Sequence, residues 1–502
     1  MLLRARRWRA LILFLAGLAG LGAAAPVFAD EGHGGPGIAA FTSAPVLWGV
    51  LSLAGILAMM LVSRAMLVGQ VVHSAAWTEG SGGFLQAVRQ FSRNARLYLT
   101  YSLLSELGGG IWAVMFNLYL LRLDFSVGFI GTFWLVNMIC HGAASLPVGL
   151  LADKYGRRAA FFSATALSIV AQAGVLLTEG PVAILVLGGI AGLGQAAHGV
   201  TGAPFMMENS EPRERPYLFS LNSGFLQLSR FGGSLAGGVL PLLWAATLGV
   251  PEIDPEAARV ALITGLPLTV MATLPLVFIQ ERKVELVGTL KDLITLRNVV
   301  SVSIVVRLTL LSLIFGTAFG LTVRFFNIFF EDVHAASDGQ IGAILALGSA
   351  AGASSIFLSP VVAQRFGKAA GIMMTQGLSV PFLLLMAVVP SFSTVAMIFL
   401  MRSAVYGIAM PLREQLNMEF ITARERGTTA GFTHTAFDLG GGLGAGVAAL
   451  LITNGEFLPV FSAASALIIV PAVLYYRFFS GMEARSRGMA AASAPAAAAG
   501  GS

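Results

Sequence analysis

The chain has 502 residues, of which 56% are hydrophobic and 11% are charged, and its mean hydropathy is +0.81. A water-soluble domain cannot bury that much apolar surface, and long apolar runs recur along the whole sequence, so the composition predicts an α-helical protein that crosses a membrane many times. The formal net charge of +6 does not indicate nucleic-acid binding, because most Lys and Arg residues fall in predicted cytoplasmic segments, where they orient membrane helices.

The N-terminal 68 residues carry two membrane signals. Four arginines precede the apolar stretch 11–25, and small residues with Val27-Phe28-Ala29 follow it. This pattern predicts that residues 1–29 are either a signal peptide or an uncleaved anchor. Residues 30–68 are predicted to form a short external segment and one extra transmembrane helix, 45–62. Residues 69–96 are predicted as a cytoplasmic amphipathic linker on the inner leaflet, with a stripe that includes Phe84 and Phe91; partner docking is the alternative.

Twelve further spans follow in two sets of six. The first set belongs to a predicted N-terminal bundle, 97–280, and the second to a C-terminal bundle, 299–480. A cytoplasmic linker, 281–298, joins them, and the Ala/Gly/Ser-rich tail, 481–502, is predicted to be disordered. The predicted spans are 97–121, 127–151, 158–178, 182–206, 217–245, 260–279, 302–329, 339–363, 369–389, 392–412, 428–453 and 458–476.

The two sets of spans are related by an internal repeat at an offset of 211 residues. Such self-similarity predicts a duplicated structural unit, and parallel six-helix repeats are one way to build a transporter. One pair, Phe116-Asn117 and Phe326-Asn327, matches at 210. The other matching segments are 126–131 with 337–342, Met207-Glu208 with Met418-Glu419, 213–215 with 424–426, and Gly233 with Gly444.

The most specific motif joins the second and third spans and reads G-L-L-A-D-K-Y-G-R-R. Gly156 permits a tight turn between two helices, and Lys154, Arg157 and Arg158 hold that turn on the cytoplasmic side. Asp153 is placed to pair with these cations or to face the N-terminus of another helix. A weaker copy, 360–368, has Gln364 in the position of Asp153.

The motif resembles the signature loop of the major facilitator superfamily, and the resemblance covers about residues 97–480. It implies an all-α fold of 12 helices in two bundles related by a pseudo-twofold axis, with the extra N-terminal helix and the signal-like leader outside it. It also implies a conformational latch in which Asp153 faces the helix that starts near Thr428. The alternative is a loop that fixes topology without switching. The latch residues would be Gly149, Asp153, Lys154, Gly156, Arg157 and Arg158.

Ionisable side chains inside the spans are functional candidates, because each costs free energy to place in hydrocarbon. At about 1.5 Å per residue, Glu106, His141, Arg230, Arg402 and Asp438 lie roughly 14–20 Å from the cytoplasmic end, near the midplane. Glu106 is predicted either to carry a proton or to form a static ion pair. His141 and Asp438 form either a second titrating pair or a packing contact.

The arginines near the midplane are candidates for binding the substrate. Arg230 and Arg402 either bind an anionic group of the substrate or neutralise Glu106 and Asp438. The remaining candidates for the substrate cavity are Asn117, His198 and His434, and the two histidines serve alternatively as hydrogen bonds between helices.

Several chemistries have no motif in the sequence. There is no phosphate-binding loop, His/Glu metal motif or nucleophile elbow, and the single cysteine, Cys140, excludes an internal disulfide. We therefore expect no catalytic residue, metal or cofactor, and no enzyme activity.

The sequence predicts a monomeric, multi-pass secondary transporter of a bacterial inner (cytoplasmic) membrane, whose partners are a small-molecule substrate, protons or another coupling ion, and the lipid bilayer. It favours proton-coupled export of an amphipathic metabolite or drug. Proton-coupled uptake of an organic anion and a non-transporting, carrier-like sensor or assembly protein are the alternatives.

Overall fold

A computed structural model of the chain describes residues 91–211, 214–280, 301–421, 426–452 and 456–499. All regular structure in these ranges is helical. The predicted leader, the extra transmembrane helix, most of the amphipathic linker and the linker between the bundles lie outside the described residues. Phe91 is described, and it is 1% exposed in a cluster with Tyr98 and Phe161, so it packs inside the protein.

The N-terminal half forms six helices, and each overlaps one predicted span. Most begin at a recognisable signal: the Ser126 side chain accepts a hydrogen bond from the Phe129 amide, and proline occupies the first turn of three of them. The helices are α1 (Arg93–Arg122), α2 (Val127–Tyr155), α3 (Arg157–Leu176), α4 (Pro181–Glu208), α5 (Arg215–Leu248) and α6 (Pro255–Val277).

The C-terminal half also follows its six predicted spans, but two of them are broken by a short 3₁₀ turn. One break is Val323–Phe325 and the other is Ile356–Leu358. Pro360 follows the second break, where it disfavours a continuous helix, and the two pieces meet at 46°. The helices are α7 (Val302–Thr322), α8 (Phe326–His334), α9 (Asp338–Ser355), α10 (Ser359–Phe366), α11 (Lys368–Val388), α12 (Phe392–Glu419), α13 (Arg426–Leu451) and α14 (Leu458–Ala499).

Length and hydropathy identify the spans that can cross a membrane. Among the described residues, ten helices qualify, or eleven if the bent pair α9 and α10 forms one span. The remaining predicted span is α13, which carries His434, Asp438 and a run of glycines in place of large apolar side chains. The protein is therefore a multi-pass integral membrane protein.

The two halves pack against each other mainly through two helix pairs, α2 with α13 and α5 with α9, with smaller contacts of α1 with α8 and α9. Glycine permits the second contact: a Cβ on Gly238 would lie 2.7 Å from the backbone oxygen of Asp338 and 2.9 Å from the Cα of Gly342. The Gly-rich run of α13 packs closely against α7, because a Cβ on Gly440 or Gly444 would collide with a backbone oxygen of that helix.

The internal repeat is visible in the backbone as well as in the sequence. Gly156 and Gly367, 211 positions apart, adopt φ values of 99° and 95°. Asp124 and Ala335, at the same offset, are the two described non-glycine residues with positive φ, at 62° and 48°. Equivalent turns therefore occupy equivalent places in the two halves.

The last helix differs from the prediction of a disordered tail at 481–502. Helix α14 continues to Ala499. Alanine has the highest intrinsic helix propensity, and the tail is rich in it. The low-complexity composition that suggested disorder is thus also a helix-forming composition.

Candidate functional site

A pair of repeat-related asparagines joins the two halves. Asn117 on α1 donates one hydrogen bond to the Asn327 side chain (3.2 Å) and one to the backbone oxygen of Arg324 (2.6 Å). Asn327 donates in return to the backbone oxygen of Val114 (2.9 Å). Each asparagine thus bonds the carbonyl three residues before its counterpart, so the arrangement has local twofold symmetry. Both are 3% exposed, and Trp134 donates to the Asn117 side chain (3.0 Å).

A charged network closes the same end of the molecule. Arg122, at the end of α1, binds the Asp338 carboxylate with both terminal nitrogens, one at 3.0 Å. It also reaches Glu331 (3.4 Å) and the backbone oxygen of Glu252 (3.3 Å). The Glu252 carboxylate accepts a hydrogen bond from the Asp338 amide (3.1 Å), and burial raises the pKa of Glu252. We call these four residues the outer network.

The sequence analysis missed this network, although one signal for it was present. Asp338 follows the helix-capping Ser337 and is 2% exposed. It lies in the repeat segment 337–342, whose match to 126–131 indicates duplication but does not identify an ion pair. Its partner Arg122 is 216 positions away, and no periodicity links residues at that separation.

Glu106 and Arg230 form an ion pair within the N-terminal half. The Arg230 Nε lies 2.9 Å from a Glu106 carboxylate oxygen and connects α5 to α1. The Arg230 side chain is 54% exposed and that of Glu106 is 22% exposed. This geometry corresponds to the static ion pair, one of the two alternatives for Glu106.

His141 and Asp438 meet between the halves. The His141 Nδ1 lies 3.7 Å from an Asp438 carboxylate oxygen, across the contact of α2 with α13. That distance is too long for a hydrogen bond, and the Nδ1 atom has no hydrogen-bond partner. The positive charge of Arg324 attracts Asp438, and His434 lies one helical turn before it on α13. The carboxylate therefore has cationic or titratable neighbours on three helical segments, without a close arginine contact.

The two predicted anion-binding arginines lie on different halves: Arg230 is on α5 and paired with Glu106, whereas Arg402 is on α12. Arg402 is 5% exposed on α12, with its guanidinium carbon 5.1 Å from the ring centre of Phe326 and 5.9 Å from that of Tyr406. Arg324 similarly lies 4.0 Å from the ring centre of Trp134. Aromatic faces attract cations, and they stabilise both arginines without neutralising them.

His198 connects α4 to α1. Its Nδ1 lies 2.8 Å from the Tyr101 hydroxyl, and its ring packs against Tyr101 and Phe161. The contact corresponds to the structural alternative for this histidine, a hydrogen bond between helices. His434 is exposed on α13.

The signature loop and its copy each contribute a basic residue to an equivalent ion pair with the end of a neighbouring helix. Arg157 lies 3.0 Å from Glu208, and Lys368 lies 2.8 Å from Glu419. Both partners of the second pair follow those of the first by 211 positions. Arg158 donates to the backbone oxygen of Ile279 (3.4 Å), and a Cβ on Gly149 would meet no atom within 4 Å. The side chains of Asp153, Lys154 and Thr428 lie outside the described part of the chain, so the latch stays a prediction.

No group of three or more His, Cys, Asp or Glu side chains in the described ranges is arranged to hold a metal ion. The polar groups between the halves are instead carboxylates, imidazoles, amides and guanidinium groups in the spans. Carboxylates and imidazoles can exchange protons, and all four kinds of group can form hydrogen bonds with a solute.

Comparison with known proteins gives one family. The sequence model of the Major Facilitator Superfamily matches residues 97–445, and no curated protein matches the chain. Similar solved structures include the nucleoside transporter NupG, with 15% identity, a TM-score of 0.60 and coverage of 77% of this chain and 99% of that one. The human organic anion transporter MFSD10 has 18% identity, a TM-score of 0.52 and coverage of 76% and 99%. A D-xylose-proton symporter has 12% identity, a TM-score of 0.60 and coverage of 79% and 98%. At these low sequence identities, the structural similarity shows that this chain shares the fold of these proteins.

Proposed function

The chain belongs to the major facilitator superfamily, a family of transporters, and we propose that it moves a small solute by alternating access, with protons coupled at Asp438. In this proposal the two halves rock against each other. The outer network and the asparagine pair hold one end closed and separate in the opposite state. Substrate and coupling groups face each other between the halves.

The contrast between two carboxylates supports Asp438 as the coupling site. Glu106 has an arginine at 2.9 Å within its own half, so rocking of the two halves does not separate this pair. Asp438 instead has His141 at 3.7 Å on the opposite half. Rocking changes that separation and therefore changes the environment of the carboxylate, which is what proton coupling requires. This contrast is the single observation that carries the proposal.

The test uses the full-length protein in proteoliposomes that contain a pH-sensitive dye. A solute panel of nucleosides, sugars and carboxylates is added under an imposed pH gradient, and solute-dependent proton movement is recorded. We expect Asp438→Asn to remove proton movement while solute counterflow continues. Glu106→Gln, the matched control, is expected to keep proton movement.

The opposite pattern would overturn the coupling site. If Asp438→Asn keeps solute-dependent proton movement and Glu106→Gln loses it, Glu106 carries the proton. If no solute in the panel moves but one binds, the sensor alternative replaces transport. Ligand binding without counterflow is the observation that distinguishes that alternative.

The proposal also includes the membrane in which the protein works, the direction of transport and the oligomeric state. The excess of Lys and Arg in predicted cytoplasmic segments supports the bacterial inner membrane with the signature loop inside. Export of an amphipathic solute remains the predicted direction, and a single chain is proposed to work as a monomer. Transport of a marker in oriented inside-out vesicles would establish the direction.

A further inference from the structure

Arg402 is a buried cation in the C-terminal half, and no carboxylate among the described residues forms an ion pair with it. Its Nε atom has no hydrogen-bond partner. A buried charge without a counter-ion is costly, and an anion that binds to it recovers part of that cost. The side chain is therefore suited to anion recognition.

The guanidinium lines a pocket between α7, α12 and α14. The enclosed space is small in this conformation, about 10 Å³ for the centre of a water-sized sphere, which holds roughly one water molecule. Sites that enclose a whole small molecule usually have about 300–1,000 Å³. A solute group therefore reaches Arg402 only where α7 and α12 lie further apart than they do in this structure. Its lining includes Phe315, Phe319, Thr322, Arg402, Tyr406 and Ile468.

A second arginine extends this surface toward the predicted cytoplasmic end. Arg402, Tyr406 and Arg413 are spaced by 4 and 7 residues, which places them along one face of α12. The two arginines are about 16 Å apart along the helix axis. The Arg413 guanidinium carbon lies 4.9 Å from the ring centre of Phe315, a residue that also lines the pocket. Aromatic rings thus connect the two cations.

We propose that this face of α7 and α12 binds an organic carboxylate that has an aromatic or aliphatic body. The carboxylate is held at Arg402, whose planar fork matches carboxylate geometry. The body packs on Phe315 and Phe319, and Arg413 attracts the anion from the cytoplasmic side. This assignment of a substrate class rests on the proposed transport function.

The experiment measures binding to the purified full-length protein, so that it does not depend on flux. Benzoate and its neutral analogue benzyl alcohol are the probes, in gluconate buffer at pH 7, with calorimetry and the unfolding temperature as readouts. We expect benzoate to bind and to raise the unfolding temperature, whereas benzyl alcohol does not. Arg402→Gln should weaken benzoate binding at least tenfold, and Arg402→Lys should weaken it less.

The matched control is Arg307→Gln. Arg307 is another arginine within a membrane span, its guanidinium carbon lies 4.9 Å from the ring centre of Phe478, and it does not line the pocket. This variant should leave benzoate affinity unchanged. If Arg402→Gln does not fold, Phe319→Ala provides the test, because it should weaken benzoate more than acetate.

Three results would overturn the proposal. The first is no benzoate binding to the wild type, and the second is unchanged benzoate affinity in Arg402→Gln, or in Phe319→Ala if Arg402→Gln does not fold. The third is that chloride alone stabilises the protein as much as benzoate does, and benzoate adds no further effect. Failure here is separable from failure of the transport proposal. A neutral solute whose flux depends on Asp438 would leave transport standing and reject the carboxylate site. Benzoate binding through Arg402 without any flux would do the reverse.

Discussion

The two halves share a scaffold and differ in their interior charge. The turns at Gly156 and Gly367 and the ion pairs Arg157–Glu208 and Lys368–Glu419 recur at one offset. The N-terminal half then pairs its midplane arginine with an acid. In the C-terminal half, arginines lie over aromatic rings and belong to none of the ion pairs described. These arginines are Arg307, Arg324, Arg402 and Arg413.

This contrast separates residues that build the repeat from residues that specialise it. The position of Arg402 corresponds to Ala191 in the first half, and that of Asp438 corresponds to Gln227. Turns, caps and short ion pairs fix helix ends, so both copies retain them. Charges inside the spans contribute little to the shared scaffold and cost free energy. Their presence in one copy therefore points to the chemistry of that half.

The largest expected effect comes from breaking the contact that holds the halves together at Arg122. Arg122→Gln leaves Asp338 buried without its cation, and removal of one partner of a buried ion pair costs about 3–5 kcal/mol. Thermal unfolding in detergent should show the loss. Arg259→Gln, which breaks an exposed pair within α6 at 3.4 Å, is the control and should cost less than about 1 kcal/mol. Equal losses would mean that the outer network does not join the halves.

The next effect tests the shared scaffold at its turns. Gly156→Ala and Gly367→Ala each force a Cβ into a backbone region that favours glycine, at φ values of 99° and 95°. Each should cost about 1–3 kcal/mol of folding free energy. Similar losses in the two variants, measured by thermal unfolding, would confirm equivalent turns. A loss at one site alone would show that the repeat has diverged there.

A smaller effect is expected from the paired ions beside those turns. Double-mutant cycles with alanine at Arg157 and Glu208, and at Lys368 and Glu419, should each give a coupling energy of about 0.2–1 kcal/mol. High salt should reduce both couplings, because the pairs are partly exposed. A coupling above about 2 kcal/mol in only one half would break the symmetry of the scaffold.

The smallest effect concerns pH at the outer network. Burial raises the pKa of Glu252, so the folded protein holds this proton more tightly than the unfolded chain does. The corresponding stability is present at low pH and is lost as pH rises from the ordinary glutamate value through the raised one. Glu252→Gln should reduce this slope in unfolding measurements across that range. If Glu252→Gln leaves the pH dependence of stability unchanged, a group other than Glu252 is responsible for it.

The sequence predicted helices and repeats well because both have local signals. Apolar runs located α1 to α6, and the 211-residue offset anticipated the matching turns. The breaks in the seventh and eighth spans were not predicted, because a 3₁₀ turn of three residues preserves hydropathy. Pro360 was a usable signal for the second break.

Side-chain partners were harder to predict because they depend on packing between distant helices. Depth alone placed Glu106 and Asp438 at similar levels, but only the fold distinguishes an arginine neighbour from a histidine neighbour. The alternatives for His198 needed the position of Tyr101, 97 residues earlier. The midplane positions identified the important residues, and tertiary contacts assigned their partners.

The break at Val323–Phe325 has a mechanical consequence. Helix α8 is anchored by Phe326, Phe329 and Phe330, which are at most 3% exposed, and by the hydrogen bond between Asn327 and α1. Helix α7 is joined to it by only one 3₁₀ turn, so tilting α7 needs no equal tilt of α8. A 3₁₀ stretch inside a span often marks a hinge, so we expect α7 to change its angle to α8 at this turn when the proposed rocking occurs.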